Sequence, residues 1–324
     1  MRHTVLLLAS LPLLTTACGP GKSSDDGSDG PMEPFDCSDV EGELVPHGEE
    51  VESADGCTTM VCSDGVLSIA EDRRATIAGD LELSTQAEVD AQVCLGTVEG
   101  ALRITGAVTD LMPLMPLSRV GQGVEITATE LVTMDGLQGL LEVGGAITVA
   151  DNASLTRLGF GPRMSAFGDV VIQNNDALTT LAGAEFLGQC VACSTVARGP
   201  RALVADEEPA AADEGTGGAE PMGDGGLDQP AGGTFYGNIL IADNDVLTDI
   251  WAMSNLYYAW ANVAFRNNAA LTTLDPLQMM EVRGDLEIVD HATMPTASAQ
   301  AFADRVVVQG VLTICGNLDG EPCP

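Results

Sequence analysis

One short pattern recurs from residue 79 to residue 314, at a step that is mostly 23 or 24 residues. Gly168-Asp169-Val170-Val171-Ile172 is followed by Asn174-Asn175, then by Leu178 and Leu181. The same phrase returns as Gly237-Asn238-Ile239-Leu240-Ile241, with Asp243-Asn244, Leu247 and Ile250 behind it. Its opening returns again as Gly284-Asp285-Leu286-Glu287-Ile288. A fixed period of this size predicts a solenoid, in which each repeat buries its apolar face only by stacking on its neighbours.

The apolar pairs set the rungs. They are Leu81/Leu83, Leu102/Ile104, Val124/Ile126, Ile147/Val149 and Val170/Ile172. After an interruption come Ile239/Ile241, Val263/Phe265, Leu286/Ile288 and Leu312/Ile314. Spacing of i, i+2 is strand periodicity with one face inward. Glu82, Arg103, Glu125, Thr148, Glu287 and Thr313 fall between the inward positions and face out. A second apolar set, such as Leu155/Leu158 and Leu271/Leu274, predicts another inward wall on each coil. Nine rungs at the strand spacing make a rod of about 40 Å.

Glycines 79, 100, 145, 168, 237, 284 and 310 stand two positions before the first inward residue. They predict a corner with positive φ or a close approach of neighbouring coils. Polar corners follow the strands at Asp151-Asn152, Asn174-Asn175, Asp243-Asn244, Asn267-Asn268 and Asp290-His291, and Asn and Asp tolerate left-handed backbone and bond nearby amides. At equivalent corners they are expected to stack as a side-chain ladder.

Composition narrows the function. Thirteen basic residues against 48 acidic ones give a formal charge of -35. That excludes the basic surface that nucleic acid requires and argues against electrostatic adsorption to anionic lipid. Aromatic residues make up only 4% of the chain, which suits a slim aliphatic core.

Residues 1–17 read as an export signal: Arg2, an apolar run from Val5 to Leu14 too short to span a bilayer, then Thr15, Thr16 and Ala17 before Cys18. The arrangement resembles a bacterial lipoprotein signal, which implies lipidation at Cys18. Membrane contact then runs through that lipid. Gly19, rather than Asp, next to the cysteine implies export to the outer membrane or cell surface. Residues 18–34 are rich in Gly, Ser, Asp and Pro and read as a disordered tether.

Eight further cysteines in an exported chain read as disulfides: Cys37, Cys57, Cys62, Cys94, Cys190, Cys193, Cys315 and Cys323. Proximity suggests Cys190 with Cys193 and Cys315 with Cys323, leaving four near the N-terminus whose pairing stays open. Residues 35–70 form a cysteine-rich unit placed to cap the solenoid, whose end exposes strand edges and core. Its order of Cys37, Gly42, Gly48, Cys57, Cys62 and Asp64-Gly65 resembles the start of a von Willebrand factor type C module. The solenoid occupies 71–187 and 235–324, the second part ending in a disulfide cap. Residues 188–234 are acidic, rich in Gly, Ala and Pro, and aperiodic. As an excursion from one turn they leave Val170/Ile172 stacked directly on Ile239/Ile241; as a linker they divide the solenoid in two.

The frame Gly-x-Leu-x-Ile-x-(Asn/Asp)-Asn-x-x-Leu-x-x-Leu, with Cys94-Leu95-Gly96-Thr97-Val98-Glu99-Gly100-Ala101-Leu102-Arg103-Ile104 at its opening, resembles the receptor L-domain. The resemblance implies an all-β fold, a right-handed parallel β-helix of about nine rungs with a small disulfide-rich N-terminal cap. A leucine-rich repeat keeps a different order of Leu and Asn and needs helical segments that are not evident here.

Few residues invite chemistry. Cys190-x-x-Cys193 lacks the βαβ setting of a redox motif and has no clustered Cys or His to complete a zinc site. His47 and His291 stand in no triad or metal motif, and His291 takes the place of a corner Asn. Asp243, Asn244 and Asp245, or Asp25, Asp26 and Asp29, offer hard oxygen ligands for calcium, but no calcium-loop motif contains them. The expectation is a non-enzymatic binding or structural protein of the cell surface, without cofactor, recognising an unknown protein or glycan through its solenoid face. The alternative is a carbohydrate-active β-helix enzyme with a pair of carboxylates.

Overall fold

The computed structural model describes residues 36–38, 44–53, 55–188 and 233–324. The signal, the tether with Cys18, and Cys190 and Cys193 lie outside the described residues.

Nine strands, from Leu81–Thr85 through Val170–Gln173 and Ile239–Ala242 to Leu312–Cys315, form one parallel sheet in simple sequence order. This is consistent with a parallel β-solenoid. Its register is that of the apolar pairs. Leu83 lies beside Ile104, Ile104 beside Ile126, Ile126 beside Val149, and Val149 beside Ile172. Val170 then pairs directly with Ile239 and Ile172 with Ile241. The sheet therefore runs unbroken across the interruption, and the excursion reading holds over the linker reading. Ile241, Phe265, Ile288 and Ile314 complete the stack.

A second wall precedes each of these strands by a few residues. It is parallel too and divides into five strands, Ala75–Ile77 to Ser165–Ala166, and four strands, Gly233–Phe235 to Val307–Val308. The division falls between a short 3-10 turn at Glu185–Gly188 and the strand that starts at Gly233. Single parallel bridges link Thr133, Arg157, Thr180 and Asp249 along the remaining side. One aliphatic core fills the interior, with Phe265 and Phe302 among its fully buried side chains.

Apart from Gly79, which has open space beside it, the glycines before the inward pairs serve close approach rather than positive φ. A Cβ on Gly168 would overlap the main chain of Gly145 and Ala146 on the coil below. Since backbone cannot step aside as a side chain can, Gly168→Ala should cost about 2 kcal/mol, in the usual range for overpacking. A shift in urea midpoint with unchanged slope would register it; an unchanged midpoint would refute the close-approach reading.

Positive φ sits instead on the corner residues Asp151, Asn174, Asp243, Asn267 and Asp290. These are the residue types that adopt left-handed backbone most readily after glycine.

Among the described residues, two short α-helices depart from an all-β fold. Gln86–Asp90 starts from a capping box in which the Thr85 hydroxyl accepts from the Glu88 amide while the Glu88 carboxylate accepts from the Thr85 amide. Thr296–Ala303 follows Pro295 and is half Ala, the strongest helix former, with Ala299 and Phe302 turned into the core. Local propensity outweighs the repeat at the first and last coils.

The N-terminal unit is a three-stranded antiparallel sheet, Glu50–Glu52, Thr58–Ser63 and Val66–Asp72. Asp64 and Gly65, both at positive φ, make its tight hairpin turn. Cys37 is bonded to Cys62 inside the unit, and Cys57 to Cys94 joins it to the solenoid ahead of the strand Leu95–Val98. Cys315 is bonded to Cys323 at the other end, the local pair that proximity suggested.

Candidate functional site

Three surfaces carry polar or aromatic side chains at repeat positions, and they differ in how much of their bonding capacity is already used.

The first is the outer face of the nine-stranded sheet. Glu82, Arg103 and Glu125 lie side by side on successive strands. Arg103 reaches Asp80 at 3.0 Å, Glu82 at 3.4 Å and Glu125 at 3.6 Å. The Asp80 carboxyl is held below its ordinary pKa by the Ala101 amide and then by Arg103. Arg266 pairs with Glu287 in the same manner further along. These charges satisfy one another, and exposed pairs of this kind add little stability.

The second surface is the corner ladder, which turns inward. Asn152, Asn175, Asn244, Asn268, His291 and Asn317 stand at one corner of successive coils and all are buried. Each Asn side-chain oxygen accepts the backbone amide of the preceding corner: Asn152 N–H to Asn175 at 3.2 Å, Asn175 N–H to Asn244 at 3.2 Å, Asn244 N–H to Asn268 at 3.2 Å. The side-chain amides donate to carbonyls of the coil before, such as Asn175 to Val149 at 3.0 Å and Asn244 to Ile172 at 3.1 Å. The Asn side chains are committed to these bonds, and the one ladder atom without a partner, His291 Nε2, is buried.

Of the calcium candidates Asp243, Asn244 and Asp245, the corner already engages two. Asn244 is committed to the ladder, and Asp243 Oδ1 accepts from Asn267 at 2.7 Å. Among the described residues no group of three or more His, Cys, Asp and Glu side chains is placed to hold a metal ion. The second trio, Asp25, Asp26 and Asp29, lies outside the described residues. His47 belongs to a turn, where its Nδ1 accepts the Asp64 amide at 3.1 Å.

The third surface escaped the sequence reading. At the position three residues before the first inward residue, consecutive coils carry Phe167, Tyr236, Trp260 and Arg283. Backbone bonds fix this column: Phe167 N–H to Val143, Trp260 N–H to Phe235 and Arg283 N–H to Ala259. The aromatic members are exposed, Phe167 at 61%, Tyr236 at 55% and Trp260 at 39%. Tyr236 and Trp260 have ring centroids 5.3 Å apart, and the Arg283 guanidinium lies 3.7 Å from the Trp260 centroid. Arg283 is in turn held by Glu281 at 3.2 Å.

Two residues further along the chain runs a parallel column of Asp169, Asn238, Asn262 and Asp285. Asn238 N–H donates to Asp169 Oδ1 at 2.8 Å, Asn262 N–H to Asn238 Oδ1 at 3.1 Å and Asp285 N–H to Asn262 Oδ1 at 2.8 Å. The second carboxylate oxygens of Asp169 and Asp285 and the side-chain amide of Asn262 make no hydrogen bond among the described residues. The result is an aromatic ridge beside a row of polar side chains, in which Asn238 is engaged at both ends while Asp169, Asn262 and Asp285 each keep a free group. Aligning the repeats at this phase shows three aromatics in a row in a chain that has few, and that was the available signal.

Compared with protein family models, curated proteins and solved structures, the chain matches none.

Proposed function

We propose that the chain is a lipid-anchored bacterial cell-surface protein with a non-enzymatic binding role, displayed on a right-handed parallel β-helix of the receptor L-domain kind. Cys18 carries the lipid, residues 18–34 hold the folded part away from the membrane, and the N-terminal unit caps the first coil. The observation that carries the binding reading is the stripe of exposed aromatics on consecutive coils. Contiguous exposed apolar groups rimmed by polar ones mark interaction sites, and Tyr and Trp supply large contact area with few rotatable bonds.

Two measurements test the proposal. Replacing Cys18→Ala should move the protein from the membrane to the soluble fraction; retention would refute the lipid anchor. The purified, unlipidated chain should bind surface glycans or proteins without altering them. Release of reducing ends from a bound polysaccharide would overturn the non-enzymatic reading.

A further inference from the structure

We propose that the ligand of the corner stripe is a neutral polysaccharide, lying along the solenoid axis across Phe167, Tyr236 and Trp260. The proposal rests on the binding reading above and names its ligand class. Three properties of the stripe point the same way.

The first is its pair of surfaces. A pyranose ring presents C–H groups on its faces and hydroxyls around its rim. The stripe offers aromatic rings in one column and carboxylate and amide groups in the next, in matching register. Asp169, Asp285 and Asn262 retain the acceptors and donors that hydroxyls would use.

The second property is the repeat. From Phe167 to Arg283 the column climbs three steps of about 4.8 Å each, about 14 Å in all. One step is close to the length of one pyranose unit in an extended chain, so a polymer can make the same contact on each coil. The order of the column adds to this. Trp260 is flanked by Tyr236 from the coil before and Arg283 from the coil after. Its ring is held in place before any ligand arrives, which lowers the entropic cost of binding.

The third is charge. At -35 the protein repels polyanions. Arg283, the cation of the stripe, is already matched by Glu281. A neutral polymer meets no such barrier, whereas nucleic acid or an acidic polysaccharide does.

The test is native electrophoresis of the unlipidated chain through gels containing mixed-linkage β-glucan, xyloglucan, glucomannan or dextran, with polygalacturonate as the acidic comparison. At least one neutral polymer should retard the protein, with little change at high salt. Tyr236→Ala and Trp260→Ala should each weaken that binding by about thirtyfold, as truncating an aromatic anchor does. Trp251→Ala removes a more exposed tryptophan from outside both columns and should leave binding intact. Circular dichroism will confirm that these surface variants fold.

Retardation by polygalacturonate alone would overturn the proposal. So would retardation that survives both stripe substitutions, or none by any neutral polymer. If neutral polymers fail while a purified surface protein binds through Tyr236 and Trp260, the glycan assignment falls and the binding reading stands. If a polymer is retarded and also cleaved, the binding reading itself falls.

Discussion

Asn244→Ala should destabilise the solenoid by about 3–5 kcal/mol, because one truncation strands several buried groups that each cost about 1–3 kcal/mol when unpaired. Asn244 Oδ1 accepts from both the backbone and the side-chain amide of Asn175, each at 3.2 Å. Its own Nδ2 donates to Ile172 O at 3.1 Å and Ala242 O at 2.8 Å. After truncation the Asn175 amide and the Ile172 carbonyl face a dry cavity. The position matters as well as the count. Asn244 lies on the first coil after the interruption, and its bonds to Asn175 bridge that gap. Repeat arrays hold together through nearest-neighbour interfaces, so weakening this one should also separate the unfolding of the two sides. Denaturant unfolding followed by far-ultraviolet circular dichroism should show an early first transition and a broadened or split curve. A single transition at the original midpoint would show that the ladder is ornamental. Asn244→Asp should fare poorly too, since it keeps the acceptor but replaces the donor with a buried charge.

Much of this architecture was legible from residues alone, and the reason is physical. Strand periodicity fixes which side chains face inward, and the stacking of identical coils then fixes the register. The pairs from Leu81/Leu83 to Leu312/Ile314 thus marked the nine strands directly. Asn at the corners was legible for the same reason, as a residue able to satisfy backbone on two coils at once. What escaped was whatever departs from the repeat or lies outside its core. The helix at Thr296–Ala303 follows from an Ala-rich stretch after Pro295, a local preference that a search for period hides. The disulfides of the N-terminal unit depend on how a hairpin lies against the first coil, which spacing does not reveal. The aromatic stripe was hidden differently. Its members are exposed, so they add nothing to the inward pattern, and attention fell on charged strand-face residues such as Arg103 and Glu125. Those charges are satisfied by each other. The stripe leaves most of Phe167 and Tyr236 exposed and keeps unbonded groups on Asp169, Asn262 and Asp285, which distinguishes it from the self-satisfied charges of the sheet face.

His291→Ala should cost about 3 kcal/mol, combining the lost packing of a buried ring with an unpaired amide, and His291→Asn should cost far less. His291 occupies an Asn position in the ladder and is fully buried. Its Nδ1 lies 3.2 Å from both the amide and the carbonyl of Asn268, and the neighbouring corners supply an acceptor oxygen to that amide. On that pattern we assign Nδ1 as the acceptor, with the single ring proton on Nε2, which has no hydrogen-bond partner. Protonating Nδ1 would give up the Asn268 amide in exchange for the carbonyl. Burial lowers the pKa of the ring below 6.5, while the carbonyls of Asn268 and Phe265 and the carboxylate of Asp290 pull the other way without prevailing. The sign follows from linkage. Between the folded and unfolded pKa values the unfolded chain binds more protons, so stability rises with pH there. The contribution of neutral His291 is complete above about pH 6.5 and is lost as pH falls through the folded value. Carboxylates such as Asp80, held low by hydrogen bonds and Arg103, lose their contribution only in a more acidic window. Wild type should therefore weaken in two stages on acidification, and His291→Asn in one. Urea midpoints measured from pH 7 down to about pH 3, into the carboxylate window, decide the matter. Parallel profiles for wild type and His291→Asn would mean that the ring is charged in the fold or bonded in another tautomer, and would refute its role as a neutral rung of the ladder.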